Sequence, residues 1–228
     1  MKVLILSDNE RVYRNMKGVV SKHSIAGARF DSRCRPGSRL ANVLEPIEAD
    51  DMMEYDVIIS AHSNHILPPR VVQSRLCVNV HPGYNPYNRG WHPHVFSMLD
   101  GSPVGVTLHV MDERIDTGAI IDREAVRVEA TDTSGDVLEK IYELEKVVFD
   151  RNIESLLAGT FSTYAPEFTG KLNTRKDFEA ICELDLSAVG TLGEHINLLR
   201  SLANPNYRNA FFVDGGQKIF VNLGLERE

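Results

Sequence analysis

The 228-residue sequence predicts an α/β protein, a mostly parallel doubly wound sheet followed by a small helix-and-hairpin extension. Three observations carry that prediction. Short continuous apolar runs at 3–6, 57–60 and 76–80 suit strands buried on both faces. Polar loops and helical-period segments separate them. After about residue 160 the character changes to loops, one helix and a paired strand signal.

Each element has a local reason. Residues 10–22 place Val12, Met16, Val19 and Val20 at helical spacing, with Asp8 or Asn9 as the N-cap. A short helix is expected near 69–74, and a longer one over 91–99. Residues 104–111 alternate as a strand, and 119–128 follow as its neighbour across the segment ERIDTG. A long helix is expected from about 133 to 157, capped by Thr133 or Ser134 and stopped by Gly159. Loops are expected from there to Lys176, then a helix at 191–203 ended by Pro205. Strands at 209–213 and 218–221 flank Asp214-Gly215-Gly216, a strong hairpin signal. This reading divides the chain into a catalytic domain, 1–160, and an extension, 161–228.

Composition narrows the function. The formal net charge of -7 argues against a nucleic-acid substrate, because such affinity rests on neutralised phosphates. Three scattered cysteines without CxxC spacing suggest neither a zinc knuckle nor a disulfide framework, and fit a reducing cytoplasm. The opening apolar run is too short for a signal peptide, and nothing reaches membrane-spanning length. His62, His65, His92 and His94 have spacings that occur in metal sites, but no third-ligand motif joins them, so no metal is expected.

The chemistry concentrates between residues 76 and 118. Asn79 and His81 lie two apart at the end of a buried strand, so alternation puts them on one side. Ligands bind at the carboxyl ends of such strands. Asp116 lies in the chain reversal Asp116-Thr117-Gly118. Together the three suffice for acyl transfer to an amine. Histidine takes a proton near neutral pH. An amide donor stabilises an oxyanion. A carboxylate orients the imidazole and raises its basicity. His109, in the alternating strand, reads as structural.

The segments NVHPGYNPYNRG (79–90) and GVTLHVMDERIDTG (105–118) together resemble the signature of folate-dependent formyltransferases. The family's Asn, His and Asp map onto Asn79, His81 and Asp116. NPYNRGWHPHVFS, LNTRKDFEAICELDL and YRNAFFVDGGQKIFV look like the branch acting on dTDP-4-amino-4,6-dideoxyglucose. The resemblance covers nearly the whole chain and is weakest at 24–55. It implies a Rossmann-like formyltransferase domain, N10-formyltetrahydrofolate as donor and a dTDP-linked aminosugar as acceptor. The product would be a formamido sugar for O-antigen or related glycan assembly. On the same resemblance, Met111, Arg114 and Ile115 border the folate, with Ile66 and Leu67 opposite.

For the acceptor, Asp8 and Asn9 occupy the loop after the first strand, where a helix start favours anions, and Arg14 follows. Arg14 takes a phosphate or merely solvates its helix. Tyr84, Tyr87, Asn88, Arg89 and Trp91 offer stacking and diphosphate contacts, although Trp91 serves equally as a helix anchor. Lys171, Asn173, Arg175 and Asn209 complete the polar set. Phe211, Phe212 and Phe220 exceed what one small edge needs, which suggests a homodimer through the hairpin. A 3-amino or UDP-linked acceptor, a formylfolate hydrolase and a non-catalytic nucleotide-sugar binder remain as alternatives.

Overall fold

A computed structural model describes residues 1–23 and 25–228. One six-stranded sheet organises the chain. Its strands are β1 (Lys2–Leu6), β2 (Arg29–Arg33), β3 (Val57–Ala61), β4 (Leu76–His81), β6 (Gly105–Val110) and β7 (Ile120–Ala125), in the order β2-β1-β3-β4-β6-β7. The first four run parallel. β6 and β7 are antiparallel additions. The expected strands at 57–60 and 76–80 each run one residue further.

β2 was not legible. Its sequence RFDSR has no apolar pattern, and the strand is held on the sheet edge by its ladder to β1. α1 (Glu10–Lys22) buries Val12, Met16 and Val19 and is capped by Asn9, whose side chain accepts from Val12 N–H. α2 (Pro69–Ser74) falls where expected. α3 (Pro93–Asp100) begins two residues later than expected, because His92 is left-handed at φ 46° and Pro93 occupies the first turn. α4 (Ser134–Ala158) starts with a reciprocal Thr133–Asp136 capping box and stops at Gly159, φ 67°.

The larger core cluster packs α1 and α4 on one sheet face through Val3, Ile5, Ile59, Val80, Leu108, Ile141 and Phe149. The opposite face packs Leu4, Leu6, Ile58 and Cys77 on Val71, Met52 and Leu67.

Beyond α4, the strand pair β5 (Arg89–Gly90) and β8 (Leu172–Asn173) ties the extension to the loop after β4. α5 (Arg175–Cys182) begins in the last two residues of the expected loop and continues where no element was expected; its Thr174–Asp177 capping box was in the sequence but unread. α6 (Leu192–Leu202) and the hairpin β9 (Phe211–Asp214), β10 (Gln217–Phe220) complete the fold. Gly215 and Gly216 both have positive φ, as a two-residue hairpin turn requires. The extension shares a core cluster with α3, since Val95 and Leu99 pack with Cys182, Leu202 and Phe211.

Candidate active site

β4 and β6 pair antiparallel with Asn79 opposite His109 and His81 opposite Thr107. This register puts two imidazoles and an amide beneath the loop that carries Asp116. Gly118 lets that loop close down, since a Cβ there would meet Val110 O at 1.7 Å. Asp116 itself is left-handed, φ 53°. Its backbone oxygen accepts from Asn85 Nδ2 at 3.2 Å. Asn85 is fixed in turn by Thr107, which also bonds Gly83 O.

The carboxylate is enclosed. Oδ1 accepts from Asn79 Nδ2 at 3.2 Å and lies 3.5 Å from His109 Nε2. Oδ2 accepts from Gly90 N–H at 3.1 Å and lies 3.6 Å from His81 Nδ1. The side chains of His81 and Asp116 are 4% and 11% exposed, so their charges interact with little screening. Burial pushes the His81 imidazole down to about 4, against the pull of Asp116. Burial also disfavours the Asp116 carboxylate. The imidazoles of His81 and His109 and the Gly90 N–H outweigh it and hold the acid below its usual range. At neutral pH the pair is therefore a neutral imidazole beside a carboxylate. His81 Nε2 is buried without a protein partner. A buried imidazole nitrogen free to accept a proton is what acyl transfer to an amine requires.

His109 and Gly83 join this site and were not singled out as functional in the sequence. His109 Nδ1 donates to Val110 O at 2.9 Å, which fixes the ring with its Nε2 edge 3.5 Å from Asp116 Oδ1. Gly83 packs on the His81 ring: a Cβ would stand 2.4 Å from His81 Nε2. The HPG triplet carried that signal.

The expected donor-side residues divide. Ile66, Arg114 and Ile115 are exposed. Leu67 is buried in the second core cluster, and Met111 packs against it.

Several expected acceptor residues have other partners. Asp8 accepts from Arg35 N–H, Asn64 N–H and Ser63 Oγ, so it ties three loops together instead of meeting an anion it would repel. Asn9 caps α1 and donates to Tyr142 Oη. Arg14 pairs with Glu10 in the open. Asn88 and Asn173 are buried and bonded to each other at 3.1 Å. Arg89 is buried and donates to Ile115 O and Gly170 O, so it clamps the Asp116 loop to the extension. Asn209 donates to Leu202 O. Arg175 pairs with Glu179, and Lys171 sits 5.8 Å over the Phe96 ring. Tyr84 is half-buried under Arg123, Tyr87 meets Phe168 edge-on, and Trp91 lies against His92. Among the described residues no group of three or more His, Cys, Asp or Glu is placed to hold a metal, and no helix is long and apolar enough to cross a membrane.

The mostly parallel sheet and the buried Asn–His–Asp cluster define an acyl-transfer enzyme. The family described as formyl transferase matches residues 8–153, and the chain belongs to it. An N-formyltransferase dimerization C-terminal domain matches residues 177–227. Relatives at 36% identity over the full chain include sugar-modifying members. The dTDP-4-amino-4,6-dideoxyglucose formyltransferase of Mycobacterium tuberculosis H37Rv is 36% identical over 237 residues, covering 100% of this chain and 98% of the relative. The crystal structure of a 4-N formyltransferase from Francisella tularensis superposes with a TM-score of 0.94 at 36% identity, covering 100% and 98% of the two chains. An N-formyltransferase from Helicobacter canadensis, solved with folinic acid and dTDP-3-aminofucose, shares the fold: TM-score 0.79, 20% identity, 96% of this chain and 86% of that one.

Proposed function

We propose that this enzyme transfers the formyl group of N10-formyltetrahydrofolate to the amine of a dTDP-linked 4-amino-4,6-dideoxy sugar. The observation that carries the reading is the enclosed Asn79–Asp116–His81 constellation, with a neutral imidazole whose Nε2 has no protein partner. The full-length likeness to 4-N sugar formyltransferases supports this acceptor.

The donor fits the residues present. Ile66 and Ile115, 77% and 48% exposed, offer apolar walls on the loops after β3 and before Asp116. The donor supplies the activated one-carbon group. His81 accepts a proton from the attacking nitrogen, and Asn79 donates to the oxygen on which charge develops. Asp116, held by Gly90 N–H and His109, orients the imidazole.

The division near residue 160 and a homodimer belong to the same proposal. Leu186, Val189, Leu192, Tyr207 and Phe220 are exposed large apolar side chains of the extension, a surface that self-association would cover. Phe211 is instead turned into the core. A reduced-folate donor and three buried free cysteines fit the cytoplasm. There the product would feed O-antigen or related glycan assembly.

Incubation with N10-formyltetrahydrofolate and dTDP-4-amino-4,6-dideoxyglucose should give a product one formyl group heavier, with folate released in step. Turnover only with a 3-amino or UDP-linked analogue would correct the acceptor. Folate release without any formylated amine would replace the reading by a hydrolase.

A further inference from the structure

A second carboxylate-held imidazole stands beside the first. Ala61 of β3 pairs with Val80 of β4, so the next residue, His62, comes level with His81 at the neighbouring strand end. His62 lies 2.7 Å through Nε2 from Oε1 of Glu145. Glu145 is fully buried on α4, on the stretch whose other core positions are Ile141, Val148 and Phe149. A carboxylate there is strongly unfavourable unless paired. Among the described residues its only side-chain partner is His62, while Oε2 has none. The acid therefore serves the imidazole. His62 is also held left-handed, φ 50°, a conformation a non-glycine residue keeps only under constraint. Asn88, His92 and Asp116 share it, so every non-glycine residue of positive φ among the described residues lies in the loops of this site.

The chemistry needs a second base. A protonated amine has no lone pair for attack, so the ammonium form present at neutral pH must first lose a proton. Turning R–NH3⁺ into the formamide R–NH–CHO removes two protons from nitrogen. One ends on the departing folate nitrogen and the other in solvent. His81, 4% exposed, suits the internal transfer. The His62 side chain is 14% exposed and reaches solvent more readily. Resting on the proposed amine acceptor, we infer that His62, oriented by Glu145, takes the first proton from the acceptor's ammonium and passes it to water. Its ring becomes the imidazolium, the amine lone pair is freed for attack, and His81 remains neutral for the second proton. The groups facing His62 are Glu145 and Tyr142 from α4, Asp8 from the loop after β1, His81 from β4, and His92 and His94 from the start of α3.

The test is kcat/KM for wild type, His62→Gln and Glu145→Gln from pH 6.5 to 10, with near-ultraviolet circular dichroism to check the fold. Loss of a general base amounts to about 100-fold or more at pH 7. That deficit should shrink to a few-fold by pH 10, where the amine arrives uncharged. Glu145→Gln should show the same trend in milder form, and it keeps the test alive if His62→Gln misfolds. A deficit constant across pH, or none, overturns the inference while leaving the enzyme a formyltransferase. A wild type that formylates no amine overturns the function and this inference with it.

Discussion

Gly83→Ala puts a methyl group against the His81 ring, the proposed base. The new Cβ would stand 2.4 Å from His81 Nε2, 2.8 Å from its Cδ2 and 2.9 Å from Pro93 Cβ. Carbon and nitrogen atoms settle at about 3.5 Å, so the imidazole must retreat by about 1 Å. Pro93 sits in the first turn of α3 and blocks the alternative adjustment. A misplacement of that size is associated with losses of about 100-fold, equivalent to about 2.7 kcal/mol of barrier. Overpacking of a closed site also destabilises the fold, by about 1–3 kcal/mol. Gly83 does not have a left-handed backbone, so the effect is steric alone. The assay is steady-state kcat beside a urea unfolding curve. The control is Gly18→Ala on α1, where nothing lies within 4 Å of the new Cβ. That change should leave kcat unaltered and gain about 0.5–1 kcal/mol. A Gly83→Ala enzyme with wild-type kcat would refute the placement of the ring that turns over substrate.

Other consequences follow from the same contacts. Arg89→Ala should lower stability by about 3 kcal/mol, because two carbonyls, Ile115 O and Gly170 O, lose a charged donor. A rise in the acceptor KM without that loss would mean the guanidinium meets substrate. Burial depresses the imidazoles of His81, His92 and His94, to about 4, 4 and 3. In the unfolded chain they take up protons near pH 6.5, so stability falls as pH drops from about 6.5 toward 4. Each contributes on the order of 3 kcal/mol by pH 4, and the depressed Asp116 adds to the loss further into acid. Urea midpoints at pH 7 and 4.5 measure the slope; His94→Asn should flatten it, and an equal slope in that variant contradicts the burial assignment. Leu186→Glu and Phe220→Glu should shift sedimentation from dimer to monomer at micromolar concentration. A wild type already monomeric there would remove the proposed interface.

Much of this was legible in the sequence, for local reasons. Strand periodicity, the Asn9 and Thr133 caps, the Gly159 stop and the Gly215-Gly216 turn are set by a few neighbouring residues. That Asn79, His81 and Asp116 come together was readable, because strand alternation alone puts Asn79 and His81 on one side and Asp116 sits at a marked reversal. β2 was not, since an edge strand held by a backbone ladder needs no apolar signature. Residue type alone did not show which acceptor-side groups already have protein partners. The buried hydrogen-bonding groups of Asp8, Asn88, Arg89 and Asn173 had to find partners, and loops distant in sequence supplied them. Only the tertiary structure decided that His109 faces Asp116 and that Glu145, 83 residues from His62, reaches it across α4. Register and helix packing bring such groups together, and neither is encoded in any short window of the chain.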